Sequence, residues 1–190
     1  MQASQRAQVH GLQIAIEHYR RRKATGCGGV LIWQLNEPWS AVSWALLDFF
    51  RQPKPAYETV RRLLDPLLVS ADYALRRFQA GDDLSADVWV VNDRSEALPG
   101  CRVEVVLEDA LGQPAGQFAR TVDVVADSAQ VVGHFCWRLP AGAGWRMTCR
   151  LSQGDRVLAE NEYDLGDHDE IEPTLRQRVW TWLAGLVTPA

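Results

Sequence analysis

Cysteine is scarce: four in 190 residues. Cys27, Cys101, Cys136 and Cys149 show neither zinc-ligand spacing nor a Cys-x-x-Cys pair. Their strand-like apolar neighbours predict buried thiols in a reducing compartment, with a Cys101–Cys149 bridge as the alternative. The four histidines are equally plain. His10 and His18 fall on a helix, His134 in a strand and His168 in an acidic loop, and no two have metal-ligand spacing, so no metal and no cofactor are expected. The sequence also lacks an apolar stretch long enough to cross a bilayer, and it lacks a charged n-region followed by an apolar h-region. A cytoplasmic protein without a membrane partner is the expectation. A net charge of −4, with acids and bases mixed along the chain and no basic stripe interleaved with aromatics, argues against nucleic acid. There is no internal repeat and no low-complexity run.

Apolar residues make up 47% of the chain, enough for the core of one large domain or two small ones. Val9, Leu12, Ile16 and Tyr19 recur at helical spacing, predicting a helix over residues 3–22. Arg20, Arg21, Arg22 and Lys23 gather at its C-terminal end, where cations suit the helix dipole and read as a solvated terminus. Gly26, Gly28 and Gly29 close the helix. Val30 to Leu35 follow as an apolar run broken only by Gln34, which predicts a strand covered on both faces, as in a parallel sheet. Pro55 opens a second helix, residues 55–64, with Tyr57, Val60 and Leu64 along one side. Residues 1–65 thus spell helix, strand, helix.

From Leu67 the hydrophobic period changes to two. Strands are predicted at residues 67–73, 84–92, 101–108, 117–125, 130–139, 145–152 and 156–163, separated by turn signals such as Gly81-Asp82-Asp83, Pro99-Gly100 and Gln153-Gly154. Seven short strands at this spacing imply an antiparallel, immunoglobulin-like β-sandwich over residues 66–166. Residues 167–190 read as an acidic loop and a C-terminal amphipathic helix, with Leu175, Val179, Trp182, Leu183 and Leu186 on one side, packed on the body. The fold class is therefore mainly β.

One buried strand between two helices cannot close a sheet, because both of its edges lack partners. The simplest repair makes residues 1–65 the last α-β-α unit of a (β/α)8 barrel whose other strands lie upstream or on a separate polypeptide. In such a barrel the loop after each strand faces the active site, so Gln34 to Trp44 would line a pocket.

The residues of that loop carry a resemblance. Trp33-Gln34-Leu35-Asn36, then Trp39, then Ser43-Trp44 and Asp48, followed by Arg51-Gln-Pro-Lys-Pro-Ala-Tyr57, resemble the end of the catalytic barrel in family 2 of the glycoside hydrolases, closest to the β-mannosidases. Trp89-Val-Val-Asn-Asp93 and Ala159-Glu-Asn-Glu-Tyr163 are similar to strands of the immunoglobulin-like domain that follows that barrel. The resemblance implies a retaining hydrolase of β-mannosidic bonds, acting through a glycosyl-enzyme intermediate without a metal. It also implies that Trp33 ends the eighth strand and that both catalytic glutamates lie before Met1. Asn36-Glu37-Pro38 is accordingly not the acid-bearing motif that its letters suggest, and no catalytic residue is assigned to this chain.

Physical chemistry agrees, since retention needs two carboxyl groups about 5 Å apart across the sugar. Asp48 follows the loop, Glu58 lies in a helix and Glu17 precedes the strand, so no second carboxylate presents itself. What the resemblance assigns is substrate binding: Trp33 stacks on the pyranose ring, while Asn36, Glu37 and Trp39 add hydroxyl contacts and a wall. Where β-mannosidases usually show aspartate and a proline after the second tryptophan, this chain has Glu37, Pro38 and Ser40, leaving the sugar preference open. The implied partners are a β-mannoside or related oligosaccharide and the remaining barrel strands, or self-association in their absence.

Trp44, Trp89, Trp137, Trp145, Trp180 and Trp182 are read as core residues. The alternative function is a non-catalytic sandwich that binds carbohydrate or scaffolds a partner, with Trp89, Trp137 and Trp145 as its platform.

Overall fold

The computed structural model describes residues 2–142 and 144–165. The expected C-terminal helix, with His168, Trp180 and Trp182, lies outside the described residues. The chain divides into two compact units, Met1–Pro66 and Leu67–Ala190.

In the first unit, helix α1 (Gln2–Arg21) and helix α2 (Pro55–Leu63) pack together. Pro55 sits in the first turn of α2, where its missing N–H costs nothing. Ala56, Thr59, Val60 and Leu63 form the buried face of α2, and Ile16 is the buried apolar residue of α1. Arg20 is not the solvated cation that its place in a basic run suggests. It is buried, and its guanidinium donates to the Leu63 carbonyl at the end of α2, where the carbonyls run out of helical partners. One turn earlier the buried Glu17 carboxylate accepts from Gln13 at 3.1 Å and from Arg21 at 3.4 Å.

The predicted strand at residues 30–35 is not formed. The segment carries no ladder, because a strand exists only through its neighbours' N–H and C=O groups.

The described residues of the second unit form seven strands: β1 (Leu67–Tyr73), β2 (Asp83–Asn92), β3 (Leu98–Glu108), β4 (Pro114–Val124), β5 (Ser128–Arg138), β6 (Arg146–Gln153) and β7 (Arg156–Asp164). They form two antiparallel sheets, ordered β1-β2-β5 and β4-β3-β6-β7. Alternate residues of both sheets enter one hydrophobic cluster: Leu84, Ala86, Val88 and Val90 of β2, Val103, Val105 and Leu107 of β3, and Met147, Cys149 and Leu151 of β6. Trp145 belongs to this core at 1% exposure, and Trp137 packs against it half-buried.

The cysteines follow strand parity. Cys101 and Cys149 face inward and are buried, whereas Cys136 sits on the outward parity of β5 opposite Ser85 and is exposed, and Cys27 is half-buried in the glycine turn. All four are free thiols. Two of the four expected burials therefore fail, and the Cys101–Cys149 bridge is absent. Burial, with a smaller contribution from Asp123, pushes the Cys101 thiol above its ordinary range.

Side chains close both open sides of the sheet pair. On one, the Tyr163 hydroxyl of β7 accepts the backbone N–H of Ala71 on edge strand β1 at 2.9 Å, and the Asn161 amide at 2.9 Å. Replacing Tyr163 with Phe removes both buried bonds, and we expect a loss of about 2 kcal/mol. The urea midpoint of the chain should fall with the slope unchanged; an unmoved midpoint would remove Tyr163 from the stabilising contacts. At one end of the sheets, buried Asn92 donates to the carbonyls of Glu96 at 2.9 Å and Val125 at 3.0 Å and accepts from Arg94 N–H at 3.0 Å, tying two turns together.

Candidate functional site

The residues singled out from sequence lie on one continuous stretch of the first unit, between α1 and α2. After the left-handed Gly26, the chain runs without regular secondary structure through Val30–Leu35, bending at Trp33 and Leu35, with a cis peptide between Trp33 and Gln34. Exposure alternates along it. Leu31, Trp33 and Leu35 are 100%, 78% and 54% exposed, whereas Ile32 and Gln34 between them are half-buried. Exposure thus repeats every two residues, although the segment forms no strand.

The chain then leaves as a loop and returns parallel to itself. Leu46 N–H donates to the Gln34 carbonyl at 3.2 Å, Leu47 N–H to that of Leu35 at 2.7 Å, and Glu37 N–H to that of Leu47 at 3.2 Å. Asn36 and Leu47 form a parallel bridge, and Leu47 bridges Pro53 antiparallel. The excursion between these anchors, residues 38–44, carries Trp39, Val42 and Trp44, all exposed. Trp44, expected in the core, is 67% exposed, because no neighbouring strand covers it among the described residues. A side-chain hydrogen bond from Gln8 of α1 to the Trp44 carbonyl, 2.6 Å, holds the far end of the loop.

Glu37 stands apart from the other predicted contact residues. Trp33, Asn36 and Trp39 are exposed, but Glu37 is only 7% exposed. The Ser43 hydroxyl donates to its Oε2, while Ser43 Oγ accepts Ala45 N–H at 3.1 Å. Lys54 Nζ donates to the Ser43 carbonyl at 2.9 Å, and Lys54 N–H to that of Leu46 at 2.9 Å. Ser43 and Lys54 were not predicted as site residues, although both fall within the matched motif; their contacts join positions 6 and 11 residues apart, which spacing alone does not reveal.

A second cluster lies in the other unit. Ser85 Oγ is 3.3 Å from His134 Nε2, and His134 Nδ1 is 2.8 Å from Asp87. The order of contacts is that of nucleophile, base and orienting carboxylate. Yet all three sit on the outward face of β2 and β5, where backbone N–H groups lie in the plane of the sheet and cannot converge on an oxyanion above it. The cluster is a cross-strand tether. Among the described residues, no three His, Cys, Asp or Glu side chains are placed to hold a metal ion.

No family model matches the chain. Comparison with curated proteins finds beta-mannosidase B of Aspergillus fumigatus, 37% identical over an alignment of 79 residues that covers 39% of this chain. It also finds beta-mannosidase B of Aspergillus terreus, 31% identical over an alignment of 127 residues that covers 57% of this chain. Among solved structures, a beta-D-mannosidase from Dictyoglomus thermophilum superposes on 89% of this chain with a TM-score of 0.70 and 26% identity. Over these stretches the chain is similar to β-mannosidases, and it is similar to the C-terminal portion of a family 2 glycoside hydrolase. It spans 9% and 14% of the two curated relatives' lengths and 20% of the Dictyoglomus chain. The exo-chitosanase of Amycolatopsis orientalis shares its fold, with a TM-score of 0.65 over 86% of this chain at 20% identity.

Proposed function

We propose that this chain is the C-terminal part of a retaining β-mannosidase-like glycosidase. Residues 1–65 supply the last α-β-α unit of the catalytic barrel, and the two-sheet unit acts as an immunoglobulin-like sandwich. The observation that carries this reading is the alternation along residues 31–35. A segment whose alternate residues are half-buried, with Leu31, Trp33 and Leu35 bare between them, has the exposure pattern of a barrel stave with its inward face empty. The remaining strands of the barrel are its partner.

In the assembled site Trp33 offers an indole face to the C–H edges of a pyranose, and Asn36 and Trp39 add a polar contact and a wall. Glu37 borders the same pocket. The two carboxylates that retention demands come from elsewhere in the enzyme. This chain therefore contributes binding and orientation, which are worth rate only when the reacting groups are present.

The test is direct. The chain alone should release no nitrophenol from nitrophenyl β-mannoside above the buffer rate, and turnover that disappears in Glu37→Gln would overturn the assignment. Open edges and bare apolar residues also predict self-association of the chain alone, so a strictly monomeric sedimentation profile would count against the empty-stave reading. A carbohydrate platform on the sheets finds little support in the packing, since Trp145 is enclosed in the core and Trp89 and Trp137 are half-buried.

A further inference from the structure

We propose that Glu37, Ser43 and Lys54 form a latch that holds the 38–44 loop as a preformed wall, so that Glu37 is a positioning residue acting on Ser43 rather than a contact to sugar. This deepens the proposed function and rests on it only where activity is read. A carboxylate meant for sugar hydroxyls needs accessible lone pairs. Glu37 is instead buried, with Oε2 accepting the Ser43 hydroxyl, a charge-assisted bond across the neck of the loop.

Ser43 is engaged on three sides: its hydroxyl donates to Glu37, its Oγ accepts Ala45 N–H at 3.1 Å, and its carbonyl accepts the Lys54 ammonium at 2.9 Å. Lys54 is itself fixed, because its backbone N–H donates to the Leu46 carbonyl and Pro55 after it begins α2. The latch thus ties the loop to the start of a helix.

The need for such a device follows from what the loop carries. Trp39, Val42 and Trp44 are exposed and gain no burial that would hold the backbone in place. A loop without core contacts opens at low free-energy cost unless polar contacts close it. A wall that must be in position before sugar arrives contributes to affinity by being ordered in advance.

Amide hydrogen exchange on this chain reads the latch without any catalysis. Ser43→Ala should speed exchange across residues 36–47 by about tenfold, the effect of losing one hydrogen bond to a charged group, and leave β2 and β3 unchanged. Ser43→Thr, which keeps the hydroxyl, should restore protection, and Lys54→Met should act in the same direction as Ser43→Ala. Unchanged exchange in both Ser43→Ala and Lys54→Met would overturn the latch, whatever the enzyme does.

Activity is read in the complete enzyme carrying this segment. Ser43→Ala and Glu37→Ala should each raise KM for nitrophenyl β-mannoside by about tenfold with kcat nearly kept, and the double variant should be no worse than either single one. A loss of kcat in Glu37→Ala with Ser43→Ala unaffected would make Glu37 a sugar contact and overturn the proposal. If the complete enzyme has no mannosidase activity, the functional reading fails while the exchange result still decides the latch.

Discussion

Gly133→Ala should destabilise the chain by about 2 kcal/mol, and Gly133→Val by more, because neither side chain has anywhere to go. A Cβ built at Gly133 meets Phe118 Cζ at 2.3 Å and two further ring atoms at 3.0 and 3.2 Å. Phe118 belongs to β4, the edge of one sheet, and Gly133 to β5, the edge of the other. The ring has little freedom to swing away, since it packs at 6.3 Å from Phe135, which stacks on Trp137 at 4.0 Å. The arrangement is reciprocal, because a Cβ at Gly116 of β4 would lie 2.7 Å from the Trp137 ring of β5. Each edge strand therefore lays an aromatic on the other's glycine, and this closes the side of the sheet pair opposite Tyr163. Urea unfolding is the measurement. Phe118→Ala should cost stability alone yet relieve Gly133→Ala, giving a coupling of about 1 kcal/mol in the double-mutant cycle. Strict additivity, or an unshifted midpoint in Gly133→Val, would show that the aromatic seat is not tight.

This lacing was not legible from the sequence, although the strands that carry it were. Alternation is clearest in β2, β3 and β6, which bury every second residue over most of their length, and the predicted 67–73 coincides with β1, whose first five residues are all buried. Strand β4 begins at Pro114 rather than at 117, since Pro114, Ala115 and Gly116 show no apolar parity. Gly116 and Gly133 read only as weak points of strands, because the ring that makes each necessary comes from the other sheet.

The apolar run 30–35 fails in the opposite way. Its side chains announce a demand for burial, but a ladder is a property of a pair, and residues 30–35 find no pairing strand among the described residues. Trp44 is exposed for the same reason, and Cys136 because parity, not hydrophobicity, decides which side of β5 it takes. Arg20 shows a further blind spot, since a cation amid cations looked solvated until its carbonyl partner 43 residues away was placed. At the candidate site, the motif singled out Trp33 and Trp39 but not Trp44. The contact between Glu37 and Ser43 was not legible, because sequence names the residues of a loop without saying which close its neck.

In the complete enzyme, Trp33→Ala should lower kcat/KM for nitrophenyl β-mannoside by about 100-fold. An indole face covering one side of a pyranose removes on the order of 100 Å² of apolar surface from water, worth about 2–3 kcal/mol at about 25 cal/mol per Å². Converted to rate, that is close to two powers of ten. Trp33→Phe keeps a smaller flat face and should lose about tenfold. The control lies in the chain itself, where Trp33 is 78% exposed and supports little of the core. Its replacement should shift the unfolding free energy of the isolated chain by less than about 0.5 kcal/mol. A large loss of stability there would make Trp33 a packing residue. An unchanged kcat/KM in the complete enzyme would remove it from the sugar site, and with it the reason for reading residues 31–35 as the wall of a pocket.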